Sequence, residues 1–273
     1  MPTTNSTEIA SSLPELDDNC IKLLSFNIQV GMASTHMHHY VTQCWKHLLP
    51  HTRSFDNLDR IADVISKFDL VALQEADGGS LRSFFINQVE YLAKKADFPH
   101  WHKQTNRNLG KFAQHSNGLL SKYKPYQVTT HKLPGLLPGR GVMEARYGTP
   151  ENPLIVLMAH LALSKMARTY QFNFISTLVN QFEHVVVMGD LNCQPSSQEM
   201  EMLLRDTNLS HPSTIHNTYP SWRPVRNIDH ILATQSVRIR SVEVINESLS
   251  DHLPLAVEIQ VPPAVKLNHS QAF

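Results

Sequence analysis

Asparagine, glutamate, histidine and aspartate recur in one setting along this chain, directly behind short apolar runs. Asn27 follows LLSF, Glu75 follows LVALQ, His160 follows IVLMA, and Asp190 with Asn192 follows VVVMG. Asp229-His230 lies within RNIDHIL, and Asp251-His252 stands just before LPLAVEI. One such Asn or Asp is ordinary turn chemistry, and one histidine near a core is ordinary packing. The joint set asks for a reason, and phosphate ester hydrolysis supplies one. Attack of water on a phosphate ester needs a hard cation held by oxygens, a base for the water, and donors for the charge that gathers on phosphate. On that chemistry Glu75 and Asp251 supply the oxygens, Asp190 is the base, and Asn192, His160 and His252 are the donors.

Strands must present those positions. Short β-rich apolar runs at 21–28, 69–75, 117–121, 126–132, 141–147, 154–161, 184–190, 227–233, 238–245 and 255–261 predict strands. Leu58, Ile61, Ile65 and Phe68 recur at helical spacing ahead of the second of them, and 81–95 and 165–182 read as helices likewise. Ser196-Ser197-Gln198-Glu199 has the order of a capping box, which predicts a short helix through Met200 and Leu204. Many strands with few helices between them predict packed mixed sheets covered by helices, not one parallel doubly wound sheet.

The 273 residues are 41% apolar and 18% charged, enough to bury a large core in one domain. The expected organisation is a flexible segment at 1–19, a domain at 20–261, and a flexible tail at 262–273 that opens on Pro262-Pro263. Lys plus Arg equals Asp plus Glu at 24 each, so no global field draws polyanions or anionic membranes, and any attraction for an anion must be local. Cys20, Cys44 and Cys193 are odd in number and lack CxxC spacing, which argues against a disulfide framework and a zinc site. No basic residue precedes Lys22, and no apolar run reaches signal or membrane-span length. A soluble, cytoplasmic protein without a membrane span is expected, and nothing in the sequence points to a protein partner.

The segments LLSFNIQ, LVALQEAD, SNGLLSK, LIVLMAHLALS, VVVMGDLNCQP, RNIDHIL and SDHLPLAVEI resemble, in order, the successive motifs of the endonuclease/exonuclease/phosphatase superfamily. The resemblance runs from Ile21 to Val261, and GDLN followed much later by SDHLP is its specific part. It implies an α/β four-layer sandwich, two packed mixed β-sheets flanked by helices. It also implies roles. Asn27 and Glu75 belong to the metal site, with Glu75 the main ligand and Asp251 a nearby contributor. Asp190 activates water, and Asn192 holds the water or a phosphate oxygen. His252 contacts phosphate while Asp229 accepts a hydrogen bond from its ring. His160 is a second phosphate-contacting or leaving-group histidine, and Asn117 belongs to the substrate cleft. Gln29 stands where abasic-site endonucleases carry an acid, and GDLNCQP departs from the inositol polyphosphate phosphatase pattern, which disfavours both specialisations.

Charge is unevenly spread outside the motifs. No acid lies between Asp97 and Glu144, while Lys103, Arg107, Lys111, Lys122, Lys124, Lys132 and Arg140 do, and Arg140 is a candidate substrate contact. A second acid-free stretch, 208–228, holds Trp222, Arg223 and Arg226, and Lys165 and Arg168 add two more cations. His36, His38, His39, His47 and His51 crowd an irregular segment that reads as a helical insert at the cleft rim, not a metal cluster. Cys193 reads as a small buried residue. Together these features indicate a Mg²⁺- or Mn²⁺-dependent phosphodiesterase with nucleic acid as the leading substrate class. The enzyme alternative acts on a phospholipid head group or small phosphoester. The non-enzyme alternative is a silent binding protein on the same fold, against which the intact polar set speaks.

Overall fold

The computed structural model describes residues 19–31, 53–108, 110, 112–135 and 139–268. The N-terminal segment up to residue 18, the histidine-rich insert, Lys111 and residues 269–273 lie outside it. The described strands are β1 (Cys20–Asn27), β2 (Leu70–Asp77), β3 (His100–Asn108), β4 (Gln114–Ser121), β5 (Gln127–Lys132) and β6 (Gly141–Gly148). The chain continues through β7 (Pro153–His160), β8 (His184–Asp190), β9 (Leu209–Ser210), β10 (Asp229–Thr234), β11 (Arg238–Val244) and β12 (Leu255–Gln260). Among the described residues four helices accompany them: α1 (Arg53–Ile65), α2 (Gln88–Lys95), α3 (Lys165–Val179) and α4 (Gln198–Asp206).

The strands form two six-stranded mixed sheets, β11-β12-β1-β2-β4-β3 and β5-β6-β7-β8-β10-β9. Each has one parallel pair at its centre, β1 with β2 and β7 with β8, and antiparallel pairs elsewhere. Apolar contacts divide the molecule into layers. Leu23, Leu70, Met143, Val156, Met188, Ile231 and Val257 belong to the core between the sheets. Alternate residues of the first sheet, such as Leu24, Phe26 and Val71, meet Leu58, Ile61 and Ile65 of α1 and Val89 and Leu92 of α2. Ile155, Leu157, Val185 and Val187 of the second sheet meet Phe172 and Ile175 of α3 and Met200 and Leu203 of α4. The central strands are therefore buried on both faces, which is why they read as continuous apolar runs.

The departures from expectation sit at edges and ends. Strand β3 was not expected, because HWHKQTNRN lies at a sheet edge and carries no apolar alternation. The two-residue β9 is too short to leave a pattern. Residues 81–95 are not one helix: a 3₁₀ turn at Leu81–Ser83 is followed by α2. The cap of α4 is Ser197, whose hydroxyl accepts from the Met200 amide at 3.3 Å. With Ser197 as the cap, Met200 and not Glu199 takes the third helical position, so no capping box forms, and the Glu199 carboxylate is bound to Arg168. Packing also continues past residue 261. Val265 is fully buried in the inter-sheet core and the Asn268 carbonyl accepts from the Lys124 amide, so residues 262–268 are no loose tail. Among the described residues, no helix is long and apolar enough to cross a membrane.

Candidate active site

Strand register sets the floor of the site. His160 ends β7 and pairs in register with Asp190, which ends β8, and Asp190 in turn pairs with Asp229, which opens β10. Three adjacent strands of the second sheet thus hold His160, Asp190 and Asp229 in one row. The first sheet brings Asn27 at the end of β1 and Glu75 near the end of β2, with Asp251 and His252 in the segment leading into β12. The two sets meet across the gap between the sheets. Asn27 donates from Nδ2 to Asp190 Oδ2 at 3.2 Å, and His252 Nδ1 lies 2.8 Å from Asp229 Oδ2. The remaining distances complete the cluster, with His160 Nε2 at 3.6 Å from Asp190 Oδ2 and 3.9 Å from Glu75 Oε1, and His252 Nε2 at 3.9 Å from Asp190 Oδ2.

Backbone geometry explains why these residue types occupy these positions. Glu75 does not terminate its strand, as expected, but sits in a bulge of β2 against β4 with φ 55°, which turns its carboxylate out of the strand alternation. Asn192 has φ 54°, a conformation that asparagine tolerates, and its amide N–H donates to Asp190 Oδ1 at 3.0 Å while Nδ2 donates to the Leu161 carbonyl. Gly189 has φ 142°, and a Cβ there would stand 1.9 Å from the Ala159 carbonyl oxygen. Only glycine lets β8 come this close to β7 beside the carboxylate of Asp190.

Several supporting residues carried no readable signal. Ser250 donates to the Asn27 carbonyl and accepts from the His252 amide at 3.0 Å, tying the Asp251 segment to β1. Thr218 donates from its hydroxyl to Asp229 Oδ2, and the Tyr219 ring packs 4.8 Å from that of His252. Ser250 stands inside SDHLP, but only the fold shows that it reaches residue 27. Thr218 and Tyr219 lie in a loop whose composition says nothing of its neighbours.

The electrostatics follow from this packing. Burial pushes the Asp190 carboxyl above the usual carboxylate range, with Asp229 and Glu75 adding to the rise and His252 and Asn27 opposing it. Burial likewise raises Asp251, to about 6, and the charge of Glu75 adds to that. Burial works against a charged ring at His252, yet the charge and hydrogen bond of Asp229, with Asp190 and Asp251, outweigh it and hold the ring up at about 10. His160 is driven well below its ordinary value by burial and by Arg140, His252 and His115, so its ring is neutral. A neutral and a protonated imidazole therefore flank one buried carboxylate.

Two groups of residues merit testing as cation ligands. Ligand atoms of Asp190, Asp229 and His252 all lie within 4.8 Å of one another. A protonated His252 bound through Nδ1 to Asp229 is a poor ligand, however, and that trio is better satisfied as an ion pair. The oxygens of Glu75, Asp251 and Asn27 suit a hard cation such as Mg²⁺ or Mn²⁺, which would relieve the repulsion from Glu75 that adds to the burial-driven rise of Asp251.

A cavity of about 690 Å³ opens from this floor, and Glu75, His115, Asn117, Arg107, Arg140 and His160 line it. Asn117 is 1% exposed and its Nδ2 has no partner, so a buried donor faces the cleft unsatisfied. Arg140 is near enough for the charges of Glu75 and Asp190 to act on it. The cationic segment does not gather on one face. Lys103 donates to the Gly78 carbonyl at 3.0 Å, and Lys122 pairs with Asp69 at 3.6 Å beyond the opposite end of the sheet. In the second acid-free stretch Arg226 lies over the Tyr219 ring. Cys193 is buried, and burial pushes its thiol up to about 12, which leaves no nucleophile.

The arrangement has relatives. In fold the chain is similar to an endonuclease/exonuclease/phosphatase from Beutenbergia cavernae, with TM-score 0.72 and 19% identity over 90% of this chain and 72% of that one. It is similar to a mannosyl-6-phosphatase from Bacteroides thetaiotaomicron, with TM-score 0.63 and 14% identity over 88% of this chain and 99% of the other. The human Nocturnin catalytic domain with bound sulfate gives TM-score 0.63 and 15% identity over 89% and 94%. No curated protein matches the sequence. The model of the Endonuclease/Exonuclease/phosphatase family matches residues 24–252, and the chain therefore belongs to that family.

Proposed function

We propose that this protein is a divalent-metal-dependent phosphodiesterase with nucleic acid or a nucleotide-like diester as substrate. The observation that carries the reading is the setting of Asp190. It is buried, raised above the ordinary carboxylate range, and oriented through both oxygens by Asn27 and the Asn192 amide. A carboxylate so poised is suited to take a proton from water near neutral pH. The protonated His252, fixed by Asp229, offers its Nε2 to a phosphate oxygen, and the unpaired Nδ2 of Asn117 and the guanidinium of Arg140 offer two further donors. The neutral His160 can donate to the leaving oxygen. A Mg²⁺ or Mn²⁺ ion held by Glu75, Asp251 and Asn27 would polarise the phosphoryl group and offset its charge. A cytoplasmic location belongs to the same proposal, supported by the free thiols of Cys20 and Cys193.

The test is a hydrolysis panel run with Mg²⁺, with Mn²⁺ and with excess chelator, covering an artificial aryl diester, the matching monoester, labelled oligonucleotides and a phospholipid. Metal-dependent cleavage of the diester and oligonucleotides, with the monoester spared, is expected. Full activity in chelator overturns the mechanism. Cleavage of the monoester alone turns the reading to a phosphatase, the activity in the name of one structural neighbour.

A further inference from the structure

Resting on the phosphoester reading, the geometry points to a subsite for a heteroaromatic ring, such as a nucleobase, on the wall of the cleft formed by Leu163, Met166 and Tyr170. These three side chains line the same cavity as Glu75 and His160, yet they are 77%, 59% and 58% exposed. Met166 and Tyr170 stand one turn apart on α3, and Leu163 lies just ahead of that helix. The opposite face of α3 already buries Phe172, Ile175 and Leu178 against the second sheet, so packing makes no demand for a second apolar face. Helix propensity makes none either, since lysine or glutamate would serve there as well.

The wall is held in place before anything binds. Arg168 donates from Nη1 to the carbonyls of Ala162 and Leu163, at 3.2 and 2.6 Å, and its Nε and Nη2 reach Glu199 Oε1 at 3.0 and 2.6 Å. Gln171 accepts from the Ala162 amide at 2.9 Å and donates to the Pro134 carbonyl. The segment that follows His160 is thus clamped, and the wall keeps a fixed position relative to the phosphate-binding floor, which lowers the ordering cost of binding.

Polar groups line the same cavity, Asn106 and Arg107 on β3 together with Arg140. An acyl chain would leave those groups facing methylene. A heteroaromatic ring offers an apolar face to thioether, phenol and leucine, and a polar edge to the arginines and the amide. The cavity of about 690 Å³ suits a ring joined to phosphate through a short polar linker such as a sugar.

Calorimetric binding to the full chain in Mg²⁺, in the Asp190→Asn background so that nothing is turned over, separates the ring from the phosphate. The probes are adenosine 5′-monophosphate, ribose 5-phosphate and octyl phosphate. The nucleotide should bind at least about tenfold more tightly than ribose 5-phosphate, within the range of one base stacked on a protein side chain. Met166→Ala with Tyr170→Ala should bring that ratio close to one, and Tyr170→Phe should keep it. Equal affinity for the first two probes in the parent overturns the subsite. If octyl phosphate gains as much as the nucleotide and loses it in the double variant, the wall takes an aliphatic chain and the ring assignment falls. None of these outcomes depends on hydrolysis, so failure of the diesterase reading shows separately in the metal panel.

Discussion

Asp229 and His230 are consecutive on β10 and therefore face opposite sides of the second sheet. On the cleft side Asp229 binds His252. On the helix side His230 donates from Nε2 to the Cys193 carbonyl at 2.9 Å and lies 5.5 Å from the His211 ring. The two histidines are almost equally buried, at 5% and 3% exposure, yet His252 is held up at about 10 and His230 is pushed down to about 4. Burial depresses both rings, and what separates them is a carboxylate in direct contact with one. Sequence adjacency suggests the pairs Asp229-His230 and Asp251-His252, but the fold recombines them. Asp229 of the second sheet takes His252 of the first, and Asp251 is left to feel Glu75. The charged pair is thereby a clip between sheets, and neither sheet holds the site alone.

The strongest way to break the cleft side of this contrast is Asp190→Asn. The amide keeps the shape and can still meet Asn192, but it cannot accept a proton, so turnover of a diester should fall by at least about a hundredfold with the thermal melt little changed. Retained activity at equal stability would move the base to another residue.

Asp229→Asn sharpens the contrast by making His252 resemble His230. The folded pKa of His252 lies above its unfolded value of 6.5, so its protonation stabilises the native state fully below about pH 6.5, and that stability is lost as pH rises towards about 10. Without the Asp229 charge the ring should lose its proton at lower pH. The alkaline limb of the pH–rate profile should then move down by a unit or more, on the order of the shift one adjacent carboxylate produces. A profile identical to the parent's, in a variant of equal stability, would show that the protonated ring has no part in turnover.

Much of this architecture was legible because the central strands are buried on both faces. LLSF, LVALQ, IVLMA and VVVMG announce strands, and the polar residue behind each joins the cluster of Asn27, Glu75, His160 and Asp190. Glu75 shows the limit of that reading, since its bulge depends on a mismatch with β4 that no local pattern encodes. The edge strand β3 was illegible because HWHKQTNRN is polar at almost every position, so it shows neither the continuous apolar run of a strand buried on both faces nor the alternation of a half-buried one. Pairings between distant residues were illegible as a class. Ser250 with Asn27, Thr218 with Asp229 and Arg168 with Glu199 arise only when two sheets or two helices pack, and serine, threonine and arginine have many other uses. Of the described cations in the acid-free segment, Arg107 and Arg140 line the cleft, whereas Lys103 is bound to the Gly78 carbonyl and Lys122 pairs with Asp69 at the other end of the sheet, so a run of charge in sequence is not a run of charge in space.

The smallest effect on activity belongs to the helix side, and its signature is in stability. His230 is neutral in the native state with a pKa near 4, held there by burial against its bond to the Cys193 carbonyl; the neighbouring His211 is likewise depressed by burial. As pH falls from 6.5 to 4 the unfolded chain takes up a proton at this position that the native one refuses, so native stability declines across that window, by on the order of 3 kcal/mol at its full extent. Glutamine keeps an N–H for the Cys193 carbonyl and has no proton to gain. His230→Gln should therefore flatten the fall in melting temperature between pH 6.5 and 4, leaving the smaller part due to His211, while diester turnover at neutral pH stays close to the parent's, because the side chain lies on the face of β10 turned away from Asp229 and the cleft. An acid profile unchanged from the parent's would mean that His230 titrates normally, and the opposed behaviour of the two faces of β10 would then have no basis.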